Sequence, residues 1–283
     1  MAIVRDRRGS ALADGVRYGA LTLGSIAFLI PFYLLARSAF MSEQDLIGTS
    51  FHLLPPNWQL SNLTGLFTNP EIPMARSLVN SAVIAVTQTV GVLVISGLAG
   101  YGLARIPYRW SNAVFYLITA TLLIPAAVTF VPSFVLVSSL GWISDLRGLI
   151  VPGLFQALAT FLFRQFFLNF PKEIEEAAFL DGLGYWGTFW RVVVPNSYGF
   201  GAAIATITFI GSWNAFLWPL VIGRDQSSWT VQIALSTFLT AQSTEVSQLF
   251  MGALVAILPL LLMFIFLQRW IVEGVERTGI SGE

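Results

Sequence analysis

The spacing of charged positions gives the first picture of this chain. Uncharged, mostly apolar windows run over residues 18–36, 77–104, 110–144, 148–163, 192–223 and 246–268, and the charges collect between them. About 20 apolar residues in a helix cross the hydrocarbon of a bilayer, so the windows predict six membrane-spanning helices. The fourth window is short, but Phe166, Phe167 and Leu168 extend it past Arg164, whose long side chain can return its charge to the interface. The first window is preceded by Arg5, Arg7 and Arg8 and followed by Ala36-Arg37-Ser38-Ala39, an order shared with cleaved leaders. Its apolar run exceeds the roughly 7–15 residues of a leader core, which predicts an uncleaved helix.

The same charges orient the spans. With the N-terminus inside, eleven of the fifteen Lys and Arg residues fall in inner segments, while Arg37, Arg76, Arg147 and Arg224 fall outside. That bias predicts that both termini are cytoplasmic. Trp58, Trp142 and Trp229 then lie near the outer face and Trp110, Trp186, Trp190 and Trp270 near the inner one, as interfacial aromatic belts do. Pro31, Pro125, Pro132, Pro152, Pro219 and Pro259 fall within the windows. They fit helices bent around a pathway, and equally the general tolerance of membrane helices for proline. The longest outer segment, 40–76, carries turn signals at Leu54-Pro55-Pro56-Asn57 and Asn69-Pro70 and is short for a domain. Residues 1–283 therefore read as a single all-α transmembrane domain.

Composition narrows the chemistry. The chain is 55% hydrophobic and 11% charged, with no net charge, and its mean hydropathy is +0.74. A soluble domain carries about 25% charged residues, so lipid bilayer must cover much of this surface. Zero net charge gives no support for nucleic-acid binding. There is no cysteine, and His52 is the sole histidine, in the outer segment, where it reads as a solvated or capping residue. No thiolate or paired-histidine metal site and no histidine-based triad follow from such a set. The sole lysine, Lys172, stands far from any glycine-rich phosphate loop, so ATP chemistry must come from another protein. The sequence thus predicts no catalytic, cofactor-binding or metal residues.

The densest information lies at residues 171–195, on the inner side. Pro171 suits a first helical turn, Glu173, Glu175 and Glu176 suit the positive end of a helix, and Gly182 suits a left-handed cap. A second helix then carries Tyr185, Trp186, Phe189, Trp190 and Val193 on one face until Pro195 stops it. The prediction is a cytoplasmic helix-turn-helix at the membrane surface.

Glu176-Ala177-Ala178, then Gly182, then Val192-x-Val194-Pro195 resembles the EAA loop of ATP-binding-cassette (ABC) importer permeases, with valines in place of the commoner Ile and Leu. Asn80-Ser81, the run from Ala99 to Arg105, and Trp213-Asn214-Ala215-Phe216-Leu217-Trp218-Pro219 resemble the carbohydrate branch, which includes the permeases for maltose and glycerol-3-phosphate. The resemblance implies a bacterial inner-membrane permease working with a second permease subunit, two cytoplasmic ATPase subunits that hold ATP and Mg, and an external substrate-binding protein. It also implies that residues 171–195 form a coupling helix seated on an ATPase subunit. Glu176, Ala177, Ala178 and Gly182 would be its core, with Glu175, Asp181 and Trp186 beside them as rim charge and aromatic anchor. The chain ends Thr278-Gly-Ile-Ser-Gly-Glu283 and lacks the lysine-containing tail of many relatives.

For the cargo, Asn80, Gln88, Gln156, Trp213, Asn214 and Trp218 are pathway candidates by residue type and depth, since sugars need hydrogen-bonding groups beside flat apolar surfaces. Each also has a bland reading, because Asn and Gln glue membrane helices together and Trp packs against lipid. The expected cargo is a sugar or oligosaccharide; a glycerol phosphate or phosphodiester is the runner-up. An anion would favour an arginine in the cavity, whereas the only arginine close to a span interior is Arg164, near its inner end. An ion-coupled transporter is the rival reading, and proton coupling usually requires acidic residues in the spans. None occurs between Glu71 and Asp145, and the remaining windows have none either.

Overall fold

The computed structural model describes residues 7–239 and 245–279, with side chains over 14–239 and 245–270. Arg5, the side chains of Arg7 and Arg8, and the C-terminal tail lie outside the described residues or side chains. Among the described residues the protein is helical, with no β-strand. Four helical stretches are long and apolar enough to cross a membrane: Asp14–Ala39, Met74–Arg105, Leu146–Leu168 and Val246–Trp270. Two bent pairs, Ser111–Thr121 with Ala126–Ser139 and Tyr185–Asn196 with Tyr198–Trp213, bring the total to six when each pair is one span.

The bends correct the third and fifth windows, which the charge pattern drew as continuous. Helix α5 (Ser111–Thr121) and helix α6 (Ala126–Ser139) meet at 96°. Pro125, at φ −59° and ψ 136°, is extended and lacks an N–H, and its ring disfavours helix at Ile124. The fifth window divides three ways. The arm ending at Asn196 meets α12 (Tyr198–Trp213) at 80°, and a short α13 (Leu217–Ile222) follows a break at 214–216.

The described residues group into two compact units, the first from 7–68 with the described part of 238–255, the second from 69–237 with 256–279. In the first unit α1 (Arg7–Ala39) presents an apolar surface outward, with Phe28 and Leu23 largely exposed. Its C-terminal end is tied down by Asn62, whose Nδ2 donates to the Ala39 and Met41 carbonyls at 2.9 Å. Ser42 caps the short α2 (Glu43–Ile47), and α3 (Ser61–Thr68) follows. The Glu43 carboxylate accepts from the Val246 and Ser247 amides, at 3.1 and 3.0 Å, at the N-terminus of α15 (Val246–Gly279). His52 lies beside Ser50, with 3.0 Å between Nε2 and Oγ.

The second unit is organised around α4 (Met74–Arg105), which packs along α8 (Ala157–Leu168) and α12. The approach to α8 depends on Gly100. A β-carbon there would stand 2.6 Å from the Phe163 Cβ and 2.9 Å from the Arg164 backbone nitrogen. At this crossing Tyr101, Phe163, Phe167, Phe189, Val193 and Ile204 form one buried cluster, and nearer the start of α4 Ile84, Val137, Leu149 and Ile222 form another. The fourth span is interrupted: α7 (Leu146–Ile150) leads through a tight turn at Val151–Gly153 containing Pro152 to Gln156, which is extended, before α8 begins.

Candidate functional site

The loop over residues 171–195 folds as its residues direct. Pro171 precedes α9 (Lys172–Leu180), whose first turn holds Glu173 and Glu175. At its end Leu183 N–H donates to the Ala178 carbonyl and Gly182 N–H to the Phe179 carbonyl, both at 3.0 Å. This is the paired closure that a left-handed residue makes possible, and Gly182 has φ +83°. The second arm starts at Gly184, continues through α10 (Tyr185–Thr188) and a wider π-turn at Phe189–Val193, and ends with α11 (Val194–Asn196). Pro195 causes the widening, because it cannot donate and its ring pushes away the carbonyl four residues back. Val194 N–H reaches back five residues to the Phe189 carbonyl. Asn196 Nδ2 and Ser197 Oγ then satisfy the Val192 and Val193 carbonyls at 2.7 Å.

The two arms divide their side chains between interior and surface. Phe189, Val193 and Ala178 are buried, whereas Leu180 is 90% and Trp186 67% exposed. Ile174, Ala177 and Tyr185 are also exposed, with Glu173, Glu176, Asp181 and Gly182 around them. The result is an apolar ridge with an acidic rim. Such a surface suits a partner groove that receives an aromatic anchor and carries basic residues at its edge. The sequence reading placed Trp186 with Phe189 and Val193 on one face; the structure turns Trp186 outward and the other two inward. It also missed Leu180 and Ile174, although two apolar residues among four acidic ones are a visible signal.

Glu175 belongs elsewhere. Its side chain is 6% exposed and its carboxylate stands 3.3 Å from Arg105 Nε, so it faces inward and does not stand at the rim where the sequence places it. Arg105 also donates to the Phe170 carbonyl. Burial pushes the Glu175 carboxyl above the ordinary carboxylate value, and Arg105 opposes that shift.

The six pathway candidates separate into two groups. Asn80 Nδ2 donates to the Ser227 and Trp229 carbonyls, both at 2.9 Å. Gln88 donates to the Leu149 carbonyl at 2.8 Å and accepts from Ser212, joining α4 to α7 and α12. Trp213 is 1% exposed and donates to the Ala256 carbonyl at 3.1 Å. Trp218 donates to the Gly148 carbonyl at 3.1 Å and meets Phe130 edge-on. These four serve as links between segments of the second unit. Asn214 is exposed and accepts from Gln232 at 3.2 Å. The half-buried side chain of Gln156 makes no hydrogen bond among the described residues. A groove of about 450 Å³ is lined mostly by apolar residues such as Gly97, Phe163 and Ala202, with Ser197 and Tyr198 among the few polar ones, and the Ser197 hydroxyl already donates to the Val193 carbonyl. No cluster of potential metal ligands occurs among the described residues.

A family model described as the inner membrane component of binding-protein-dependent transport systems matches residues 91–277. A sn-glycerol-3-phosphate transport system permease protein from Yersinia pestis bv. Antiqua is 31% identical, over 96% of this chain and 98% of its own. An arabinooligosaccharides transport system permease protein from Bacillus subtilis is 30% identical, over 91% of this chain and 92% of its own. Among solved structures, a chain of a bacterial ABC transporter involved in the import of the acidic polysaccharide alginate superimposes with a TM-score of 0.76. It covers 95% of this chain at 21% identity, and 99% of that chain is matched.

Proposed function

The chain belongs to the family of inner membrane components of binding-protein-dependent transport systems, and we propose that, as the permease subunit of an ABC importer, it carries a neutral sugar or oligosaccharide. An external binding protein delivers the cargo, a second permease completes the alternating-access pathway, and two cytoplasmic ATPase subunits bind ATP and Mg. Both termini face the cytoplasm. The observation that carries the coupling assignment is the outward ridge of Leu180 and Trp186 rimmed by Glu176 and Asp181. Ala177, Ala178 and Gly182 give that ridge its backbone path, and the ridge seats in a groove of one ATPase subunit. On the cargo side Asn214 and Gln156 are the pathway residues, because Asn80, Gln88, Trp213 and Trp218 spend their polar groups on backbone carbonyls.

Neutral cargo is favoured because Arg164, which lies within the fourth span, is already 3.9 Å over the Phe115 ring and donates to Asn112 at 2.9 Å. The glycerol phosphate permeases among its relatives keep a second reading in play, with glycerol-3-phosphate or a phosphodiester as cargo. The binding protein that co-purifies with the assembled transporter decides between them. Stabilisation of that protein by sugars in a thermal-shift screen is the expected result; a response to glycerol phosphates alone would replace the sugar reading. Gly182→Asp should leave the complex assembled and remove substrate-stimulated ATP hydrolysis, and normal stimulation would sink the coupling assignment. Uptake should survive collapse of the proton gradient while ATP is maintained; its loss would favour an ion-coupled carrier.

A further inference from the structure

Two ion pairs occur among the described residues, and they differ in kind. Asp145 and Arg147 are neighbours on one exposed turn, whereas Arg105 and Glu175 join the last residue of α4 to the first turn of α9, each side chain 6% exposed. Taking both charges out of water is costly, and an apolar pair of similar volume often stabilises a protein as well or better. What the charged pair adds is a tie: α9 cannot move away from α4 without leaving an uncompensated buried charge. The tie has a second strand, since the Arg105 guanidinium also binds the Phe170 carbonyl at the entrance to the loop.

The other arm of the loop is held by the same end of α4. Tyr101, one turn before Arg105 and 3% exposed, places its ring 5.0 Å from Phe189 in the π-turn and 5.6 Å from Phe167 in α8. The principal packing of α9 is on its own second arm, so its polar link to a membrane helix runs through Arg105. Because α4 packs along both α8 and α12, a force applied to the exposed ridge reaches three membrane helices through one helix end.

From this arrangement we infer that Arg105 is a positioning residue of the transport cycle: held between the Glu175 carboxylate and the Phe170 carbonyl, it makes α4 move with the inner loop when an ATPase subunit displaces that loop. This rests on the assignment of residues 171–195 as the seat of an ATPase subunit.

The test uses the complete transporter in proteoliposomes, with Arg105→Met and Glu175→Leu combined so that the buried charges are removed together. The chain has no cysteine, so Leu180→Cys can be introduced into both backgrounds and crosslinked to single cysteines in the ATPase subunit. The expected result is retained assembly, a thermal midpoint within about 4 °C of wild type, retained crosslinking, and at least roughly a tenfold fall in cargo moved per ATP hydrolysed. An unchanged ratio of transport to hydrolysis, with crosslinking intact, would overturn the role of Arg105 and leave the loop assignment standing. Failure of Leu180→Cys to crosslink in the otherwise wild-type background would overturn the loop assignment, and this inference with it. Should the apolar pair fail to assemble, Glu175→Gln, which keeps the shape and removes the charge, is read by the same ratio.

Discussion

Gly100 and Gly182 are the same residue used for opposite reasons. At Gly100 the backbone is ordinary helix and the space is missing, because α8 comes so close that a β-carbon would press on the Arg164 backbone. At Gly182 the space is open, with no atom within 4 Å of where a β-carbon would stand, and the backbone is what demands glycine, at φ +83°. The difference separates two regions of one chain. The α4–α8 crossing is a packed seam where any addition is felt by neighbouring helices, whereas the turn at Gly182 is an exposed corner with open space around it. The polar side chains follow the same division: Asn80 and Gln88 are spent inside on carbonyls, and Glu176 and Asp181 are left at the surface.

The largest effect should follow from filling the seam. Overpacking a tight core costs about 1–3 kcal/mol even where neighbours can adjust, and backbone at 2.9 Å adjusts poorly. Gly100→Leu is expected to reduce assembled transporter to roughly a tenth of wild type, read by co-purification of the ATPase subunits. Gly182→Asp should reverse the pattern, with assembly near normal and substrate-stimulated hydrolysis lost. If both variants fail at assembly, the turn is part of the packed structure and the contrast between the two glycines collapses.

Much of this division is legible in the residues themselves. Charges are too expensive to leave in lipid, so their absence marks the spans directly, and the E-A-A-x-x-x-G spacing marks the inner loop. Gly182 is legible because few residues other than glycine accept a left-handed helix end. Gly100 is not, since its need for space comes from Phe163 and Arg164, far away in sequence. The bends at 96° and 80° are hidden for a related reason: Pro31 and Pro259 sit inside long helices while Pro125 stands extended just before one, and local sequence does not separate these outcomes. Glu175 was misplaced because its partner, Arg105, belongs to a distant helix and reads alone as another inner-side cation.

A smaller effect separates glue from pathway. Side-chain hydrogen bonds between membrane helices average about 0.6 kcal/mol, with a maximum near 1.7. Gln88→Leu removes bonds to Leu149 and Ser212 and should cost about 1–2 kcal/mol, seen as a lower thermal midpoint with cargo KM within about twofold of wild type. Asn214→Ala should do the converse, leaving the midpoint in place and raising cargo KM about five-fold or more. A large KM change in Gln88→Leu with unchanged stability would move Gln88 back into the pathway.

The smallest expected effect tests whether a polar group outside the membrane is always free for a partner. Glu43 opens the short α2 between two membrane-spanning helices, yet both of its carboxylate oxygens are taken by the first amides of α15, at 3.1 and 3.0 Å. A carboxylate at that end satisfies amide donors that have no partner within the helix and meets the positive pole of the helix dipole. Glu43→Gln keeps one acceptor and loses the charge, so it should cost about 0.3–1 kcal/mol. Glu43→Ala loses both acceptors and should cost more, about 1–2 kcal/mol. Both variants should transport normally at moderate temperature and inactivate earlier on heating, in the order Ala before Gln. Loss of binding-protein-stimulated hydrolysis at moderate temperature, with the thermal midpoint unchanged, would instead make Glu43 part of a docking face.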